Sequence, residues 1–138
     1  MVNVHGTSKL EIRNLGFILS KKAKRTIESA VVDKNVFIAS ISAWEIALLA
    51  SKKRLLLSME VDDWIKKSEM LPFVNFIPVD NSIAVKSVNL SPPFHSDPAD
   101  RIIIATAISL GASLITKDER ILEYPHVKTI CPHVKTIW

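Results

Sequence analysis

The chain has 138 residues, of which 48% are hydrophobic and 23% charged, so it suits one globular domain and excludes general disorder. No apolar run reaches the roughly 18 residues of a membrane-spanning helix, and we expect no secretory signal. A single cysteine, Cys131, excludes an internal disulfide framework and a multi-cysteine zinc site, which predicts a reducing, cytoplasmic location. With three glycines and neither GxGxxG nor GxxxxGK[ST], the chain is a poor candidate for a dinucleotide or P-loop enzyme.

The balance of 18 basic and 14 acidic residues gives a net charge of +4, which permits a nucleic-acid partner without requiring one. Basic clusters occur at residues 21–25, 52–54 and 66–67. Such clusters are typical of solvated helix faces and also suit phosphate binding. Charge alone therefore leaves the partner open.

Short apolar runs alternate with helical patterns along the chain. Predicted helices cover residues 20–31, 42–57, 61–71, 81–90 and 97–110, and predicted strands cover 35–39, 73–79, 113–116 and either 127–130 or 134–138. Strands that alternate with helices imply a parallel sheet with helices on both faces. The sequence thus predicts a single α/β domain over residues 1–138.

The C-terminal segment, residues 125–138, contains the hexapeptide PHVKTI twice, at 125–130 and at 132–137. A copied terminal strand is one interpretation. A redundant tail left by a recent duplication is the other, and we favour it. Two copies do not make a repeat architecture.

Three acidic residues are predicted near the carboxyl ends of strands, where open parallel sheets place their ligand crevice. Glu45 is expected in the first turn of the helix after strand 35–39, Asp100 in the first turn of helix 97–110, and Asp118 just after strand 113–116. Clustered carboxylates repel one another and usually need a hard cation. Magnesium or manganese held in this way activates water and neutralises a phosphodiester.

Each acid also has an ordinary structural explanation. Residues 42–45 (SAWE) match a capping box, and Asp97 followed by Pro98 matches an N-cap with proline at the first helical position. Asp100 then favours the helix dipole, and Asp118 suits a turn. Their joint occurrence in an alternating α/β chain favours a site.

Three segments together resemble the PIN-domain family, and within it the VapC-type toxins of bacterial toxin–antitoxin pairs. They are SAWEIALLASKKRLLL, HSDPADRIIIATAISLGASLITKDERILEYP and the ending VKTIW. The resemblance covers the chain from about residue 20 onward. It implies a three-layer α/β/α fold with a central, mostly parallel sheet, and Mg²⁺- or Mn²⁺-dependent hydrolysis of RNA. It also implies a small VapB-like antitoxin partner and a homodimer.

The same resemblance assigns roles to individual residues. Glu45, Asp100 and Asp118 would be the catalytic, metal-binding acids. Asp97 would cap the helix that presents Asp100, and Arg101 and Arg120 would support the site or contact phosphate. The supporting residues are Asp97, Ser42, Thr116, Arg101 and Arg120.

The N-terminus, residues 1–19, is atypical for this family. The family begins with a strand that ends in aspartate, whereas residues 1–20 contain none. The position falls near His5, with Asn3 as a second candidate, and neither supplies a carboxylate. We therefore expect weak or lost activity, although a functional variant that uses His5 as a neutral ligand fits the same sequence.

Two other functions remain as alternatives. A catalytically silent PIN-fold protein that binds antitoxin or RNA is favoured by the missing first aspartate. A receiver-like signalling domain also gathers acids at strand ends and would use Lys117, but the chain lacks the early acidic pair that such a domain needs.

Overall fold

The computed structural model describes residues 20–94, 97–116 and 118–130. The atypical N-terminus with Asn3 and His5, Lys117, Cys131 and the second PHVKTI copy lie outside the described residues, as does the alternative last strand at 134–138. Six helices and four strands lie within those ranges. In chain order they are α1 (Lys21–Val32), β1 (Val36–Ala39), α2 (Ile41–Ser51), α3 (Val61–Glu69), β2 (Val74–Ile77), α4 (Asn81–Val88), α5 (Pro98–Leu110), β3 (Leu114–Ile115), α6 (Glu119–Leu122) and β4 (Thr129–Ile130).

The strands pair in parallel, as the alternating pattern predicts. β1 lies beside β2, from Val36 opposite Val74 to Ala39 opposite Ile77. β3 lies beside β4, with Ile115 opposite Ile130. Within the described residues these are two separate two-stranded pairs. The α/β class and the parallel pairing are confirmed. Within the described residues, the strand predicted at 127–130 is present as Thr129–Ile130.

Helix α5 is the centre of the core, and its local sequence explains its bounds. The Asp97 carboxylate caps its first turn, Pro98 occupies the first helical position, and Gly111 ends it in the left-handed conformation, with φ of 62°. All three features are those that the sequence predicts. Ile103 and Ile104 are fully buried, and burying each such side chain stabilises the fold by about 1.5–3 kcal/mol.

The rest of the main core packs around that helix. Its other buried members come from β1, α5 itself, β3, α6 and the segment that follows α6, and they are Ala39, Ala107, Leu114, Ile121 and Tyr124. Among the helices of the described residues, none combines the length and the apolar character that a bilayer crossing requires. The core cluster packs α5 against Ala39 of β1 and Leu114 of β3, one strand from each pair.

Helix α2 differs from its prediction at both ends. It ends at Ser51 instead of residue 57, because Lys53 adopts a positive φ of 54° and turns the chain away. It begins at Ile41, one residue earlier than predicted, so Ser42 lies inside the helix and the capping-box interpretation is wrong. Ser40 occupies the N-cap position and makes no side-chain capping bond.

Candidate active site

Asp100 lies in the first turn of α5 and is fully buried. Its backbone N–H donates to the Asp97 carboxylate at 3.1 Å, which fixes the start of the helix. The helix N-terminus is the end that favours negative charge. The predicted capping role of Asp97 is confirmed, and Asp97 sets the position from which Asp100 projects.

Asp118 lies three residues after Ile115, the last residue of β3, and the buried Thr116 positions it. The Thr116 hydroxyl accepts a hydrogen bond from the Asp118 backbone N–H at 3.1 Å. The Asp118 carboxylate in turn accepts from the Arg120 backbone N–H at 2.9 Å and so caps α6. The sequence predicts only a turn here, because a four-residue helix carries too little periodicity to be recognised.

Arg120 brings the two aspartates together. Its Nη2 atom lies 3.1 Å from Oδ2 of Asp118 and 3.8 Å from Oδ2 of Asp100. The Arg120 guanidinium also interacts electrostatically with Asp97. Two carboxylates that are 18 residues apart in sequence therefore pair with one cation, which offsets the repulsion between them.

Arg120 also controls the ionisation of Asp118. Burial raises the pKa of the Asp118 carboxyl, but hydrogen bonds from the side chain and backbone of Arg120, together with its charge, outweigh burial and hold that pKa below its usual value. The pKa of Arg120 is raised, chiefly by the hydrogen bond that it donates to Asp118. Asp118 is thus an anion at neutral pH.

We expect the replacement of Arg120 by Gln to raise the pKa of Asp118 toward the ordinary value of about 3.9. Because the folded-state pKa is depressed, Asp118 contributes stability that is present above the unfolded pKa and lost as the pH falls through the folded pKa. The variant should lack most of that contribution at neutral pH, because the pKa of Asp118 in its folded state then lies close to the unfolded value. A ¹³C-carboxyl NMR titration measures the shift, with Arg25→Gln on the exposed face of α1 as the matched control. An unchanged Asp118 titration in Arg120→Gln would refute the assignment.

Glu45 lies on α2, just beyond its first turn, and is 9% exposed. It faces a cleft of about 540 Å³ that also includes Asp97, the N-cap of α5, and Arg54. The remaining walls are mostly apolar and comprise Ile41, Trp44, Leu48, Leu49, Pro98, Ala99 and Ile102. Arg54 belongs to a basic cluster whose sequence pattern also fits a solvated surface, so nothing in the sequence singles it out.

Ser42 lies near Glu45 on the same helix and is buried. Its hydroxyl oxygen has no hydrogen-bond partner among the described residues. A buried hydroxyl in this state costs free energy unless a partner satisfies it. The predicted supporting role of Ser42 is not tested by this geometry and stays a prediction.

The donor chemistry of the Asp100–Asp118 pair fits a hard divalent cation. Within the described ranges, no three acidic, histidine or cysteine side chains form a ready metal cage. Mg²⁺ nevertheless usually binds through one or two carboxylates and keeps several waters, which two aspartates satisfy. The convergence of Glu45 on this pair stays a prediction.

Arg101 contacts a different part of the molecule. Its Nε donates to the Ser87 carbonyl at 2.9 Å and its Nη2 to the Val88 carbonyl at 3.0 Å, at the end of α4. Its guanidinium carbon lies 6.0 Å from the centre of the Phe94 ring. These bonds join α4 to α5 and satisfy carbonyls at a helix end. A phosphate contact by Arg101 stays a prediction.

Comparison with known proteins agrees with this geometry. The model of the PIN domain family matches residues 16–127, and the chain belongs to that family. It is 36% identical over 120 residues to Ribonuclease VapC22 of Mycobacterium tuberculosis (strain ATCC 25618 / H37Rv), a match that covers 87% of this chain and 85% of that protein. The resemblance to VapC proteins seen in the sequence is confirmed.

Two solved structures share the fold. A toxin–antitoxin complex from Klebsiella pneumoniae matches with a TM-score of 0.56 and 21% identity, over 91% of this chain and 95% of that chain. A DNA-bound VapBC from Salmonella typhimurium matches with a TM-score of 0.55 and 18% identity, over 90% and 93%. At these identities the likeness establishes the PIN fold.

Proposed function

We propose that this protein is a VapC-type endoribonuclease that hydrolyses RNA phosphodiester bonds with Mg²⁺ or Mn²⁺. The observation that carries the proposal is the pairing of Asp100 and Asp118 around Arg120. It occurs in a chain 36% identical to a ribonuclease. Paired carboxylates repel an anionic substrate by themselves, so their use on RNA requires a cation between them and the phosphodiester.

The residues have separate roles in this proposal. Asp100 and Asp118 would hold the ion, with Glu45 as the third acid. A bound divalent ion supplies an activated water and neutralises charge on the phosphodiester. Asp97 and Thr116 position the two aspartates through the hydrogen bonds described above. The side chain of Arg120 is 61% exposed, so it has the freedom to leave the aspartates and contact a substrate phosphate.

Activity is proposed to be weak, because the first acid of the family pattern is missing. His5 and Asn3, the two residues nearest that position, lie outside the described residues. A neutral ligand at this place binds Mg²⁺ poorly compared with a carboxylate. The same feature favours the second candidate function, a catalytically silent PIN-fold protein that binds antitoxin or RNA.

The partners proposed are a small VapB-like antitoxin and a second copy of the chain, in the cytoplasm. The structures that match this fold include toxin–antitoxin complexes. Trp44 is 58% exposed and, with Leu48, lines the apolar cleft beside Glu45. An exposed tryptophan of this kind is typical of protein interfaces.

The experiment that separates the two functions combines cleavage with metal binding. Labelled RNA is incubated with the protein in Mn²⁺ or in EDTA, and Mn²⁺ is titrated calorimetrically without RNA. Metal-dependent cleavage together with saturable binding supports the nuclease. A protein that neither cleaves RNA nor binds Mn²⁺ is the silent form.

The capping aspartates provide a matched pair of variants. Asp97 caps α5 and Asp80 caps α4, where its carboxylate accepts from Ile83 N–H at 2.8 Å. We expect Asp97→Ala and Asp80→Ala each to lower the free energy of unfolding by about 1 kcal/mol in urea denaturation. Only Asp97→Ala should also reduce cleavage, because only Asp97 positions Asp100. Equal cleavage by the two variants would contradict this role.

A further inference from the structure

A second pocket borders the aspartate pair and has no role in the mechanism above. It has a volume of about 530 Å³ and is lined by Pro92, Pro93, Phe94, Arg120, Glu123 and Tyr124. This size lies within the range of small-ligand sites in proteins. Arg120 belongs both to this pocket and to the aspartate pair, so a ligand here would lie next to the proposed scissile phosphate.

The aromatic wall of this pocket is held in place by its own contacts. Phe94 and Tyr124 meet edge to face with ring centroids 5.0 Å apart, and Tyr124 meets His126 in the same way at 5.2 Å. The Tyr124 hydroxyl donates to the Ser91 carbonyl at 2.8 Å and ties the proline-containing loop to the segment after α6. Such a wall needs little ordering on binding, and flat ligands stack well on rings.

The charged groups of the pocket have opposite signs and select different parts of a ligand. Arg120 attracts phosphate. Glu123 is exposed and repels phosphate, but its two carboxylate oxygens accept hydrogen bonds. Guanine presents two adjacent donors, N1–H and the N2 amino group, that match a carboxylate. Uracil presents one N–H between two carbonyls, which a carboxylate repels.

We propose that this pocket binds one nucleotide of single-stranded RNA beside the cleaved bond and favours guanine. The base would lie against Pro93 and Phe94, with its donor edge toward Glu123 and its phosphate toward Arg120. The proposal rests on the proposed function for its choice of RNA as ligand. It makes Glu123 and Phe94 specificity residues rather than catalytic ones.

The test measures binding in EDTA at low salt, where cleavage does not interfere. Fluorescence anisotropy compares labelled UUGUU with UUUUU on the wild-type protein and on Glu123→Gln. We expect the wild type to favour UUGUU by about tenfold and Glu123→Gln to lose most of that preference, because charged hydrogen bonds are lost. Glu69→Gln, an exposed change at the end of α3, should keep it. Phe94→Leu preserves apolar packing but removes the ring, so it should weaken the binding of both RNAs severalfold.

Each outcome decides a different question. Equal binding of the two RNAs by the wild type, or an unchanged preference in Glu123→Gln, refutes the proposal that this pocket selects guanine. So does the absence of binding to either RNA at about 100 μM, the weak end of non-specific affinity. Metal-dependent cleavage with no guanine preference supports the proposed nuclease function and refutes only the proposed role of the pocket. Guanine preference without cleavage supports the pocket in a silent protein.

Discussion

Replacing Asp100 by Asn is expected to reduce metal-dependent RNA cleavage by about a thousandfold, since a charge that stabilises the transition state by several kcal/mol is removed. Asp100 is fully buried and lies at the start of the most buried helix, so its carboxylate is fixed in place. Asn has nearly the same shape and leaves the packing of α5 intact. Initial rates on a labelled RNA in Mn²⁺ measure the effect, and circular dichroism checks the fold.

The matched control is Asp80→Asn, which removes one carboxylate charge at the start of a different helix. We expect this control to cleave RNA at the unmodified rate. Calorimetric titration gives an independent readout, because Asp100→Asn should weaken Mn²⁺ binding even in the absence of RNA. Cleavage by Asp100→Asn at the rate of the control would show that the pair is not the metal site.

Local signals predict α5 well, because they are all contained in one segment. The Asp97–Pro98 start, the apolar face and the Gly111 stop depend only on neighbouring residues. The start of α2 is different. One residue, Ser40, separates β1 from α2, and its backbone N–H is bound to the Ile77 carbonyl of β2 at 2.9 Å. The helix therefore starts where the β1–β2 pairing ends, and the serine and glutamate spacing at 42–45 carries no information about it.

The contact of Arg120 with both aspartates likewise depends on tertiary packing, which the local sequence does not reveal. Sequence reasoning names Asp100, Asp118 and Arg120, but it does not show that one guanidinium contacts both carboxylates. That contact depends on α5 packing against Leu114 of β3 and on the Asp118 cap of α6. The pocket wall is harder to foresee, because Tyr124 and Ser91 lie 33 residues apart and only the folded chain brings them together.

The second large effect is expected from an added acid. Replacing His5 by Asp should raise cleavage and tighten Mn²⁺ binding, because the site then gains the carboxylate that the family pattern supplies from its first strand. A hard divalent cation gains most from anionic oxygen ligands. The gain expected is up to about a thousandfold in rate, the converse of losing such a charge. Single-turnover cleavage and calorimetric Mn²⁺ titration measure it.

Asn3→Asp is tested beside His5→Asp, because the register of the N-terminal segment leaves both positions open. Asn35→Asp is the charge-matched control. It places a new carboxylate before β1, whereas Glu45 follows the other end of that strand. If the unmodified protein already degrades RNA rapidly with Mg²⁺ and Asp100→Asn abolishes that activity, the impaired-site proposal is wrong. The unmodified protein would then have a fourth metal ligand that is not an aspartate at position 3 or 5. The Asp100–Asp118 pair would remain the centre of the site.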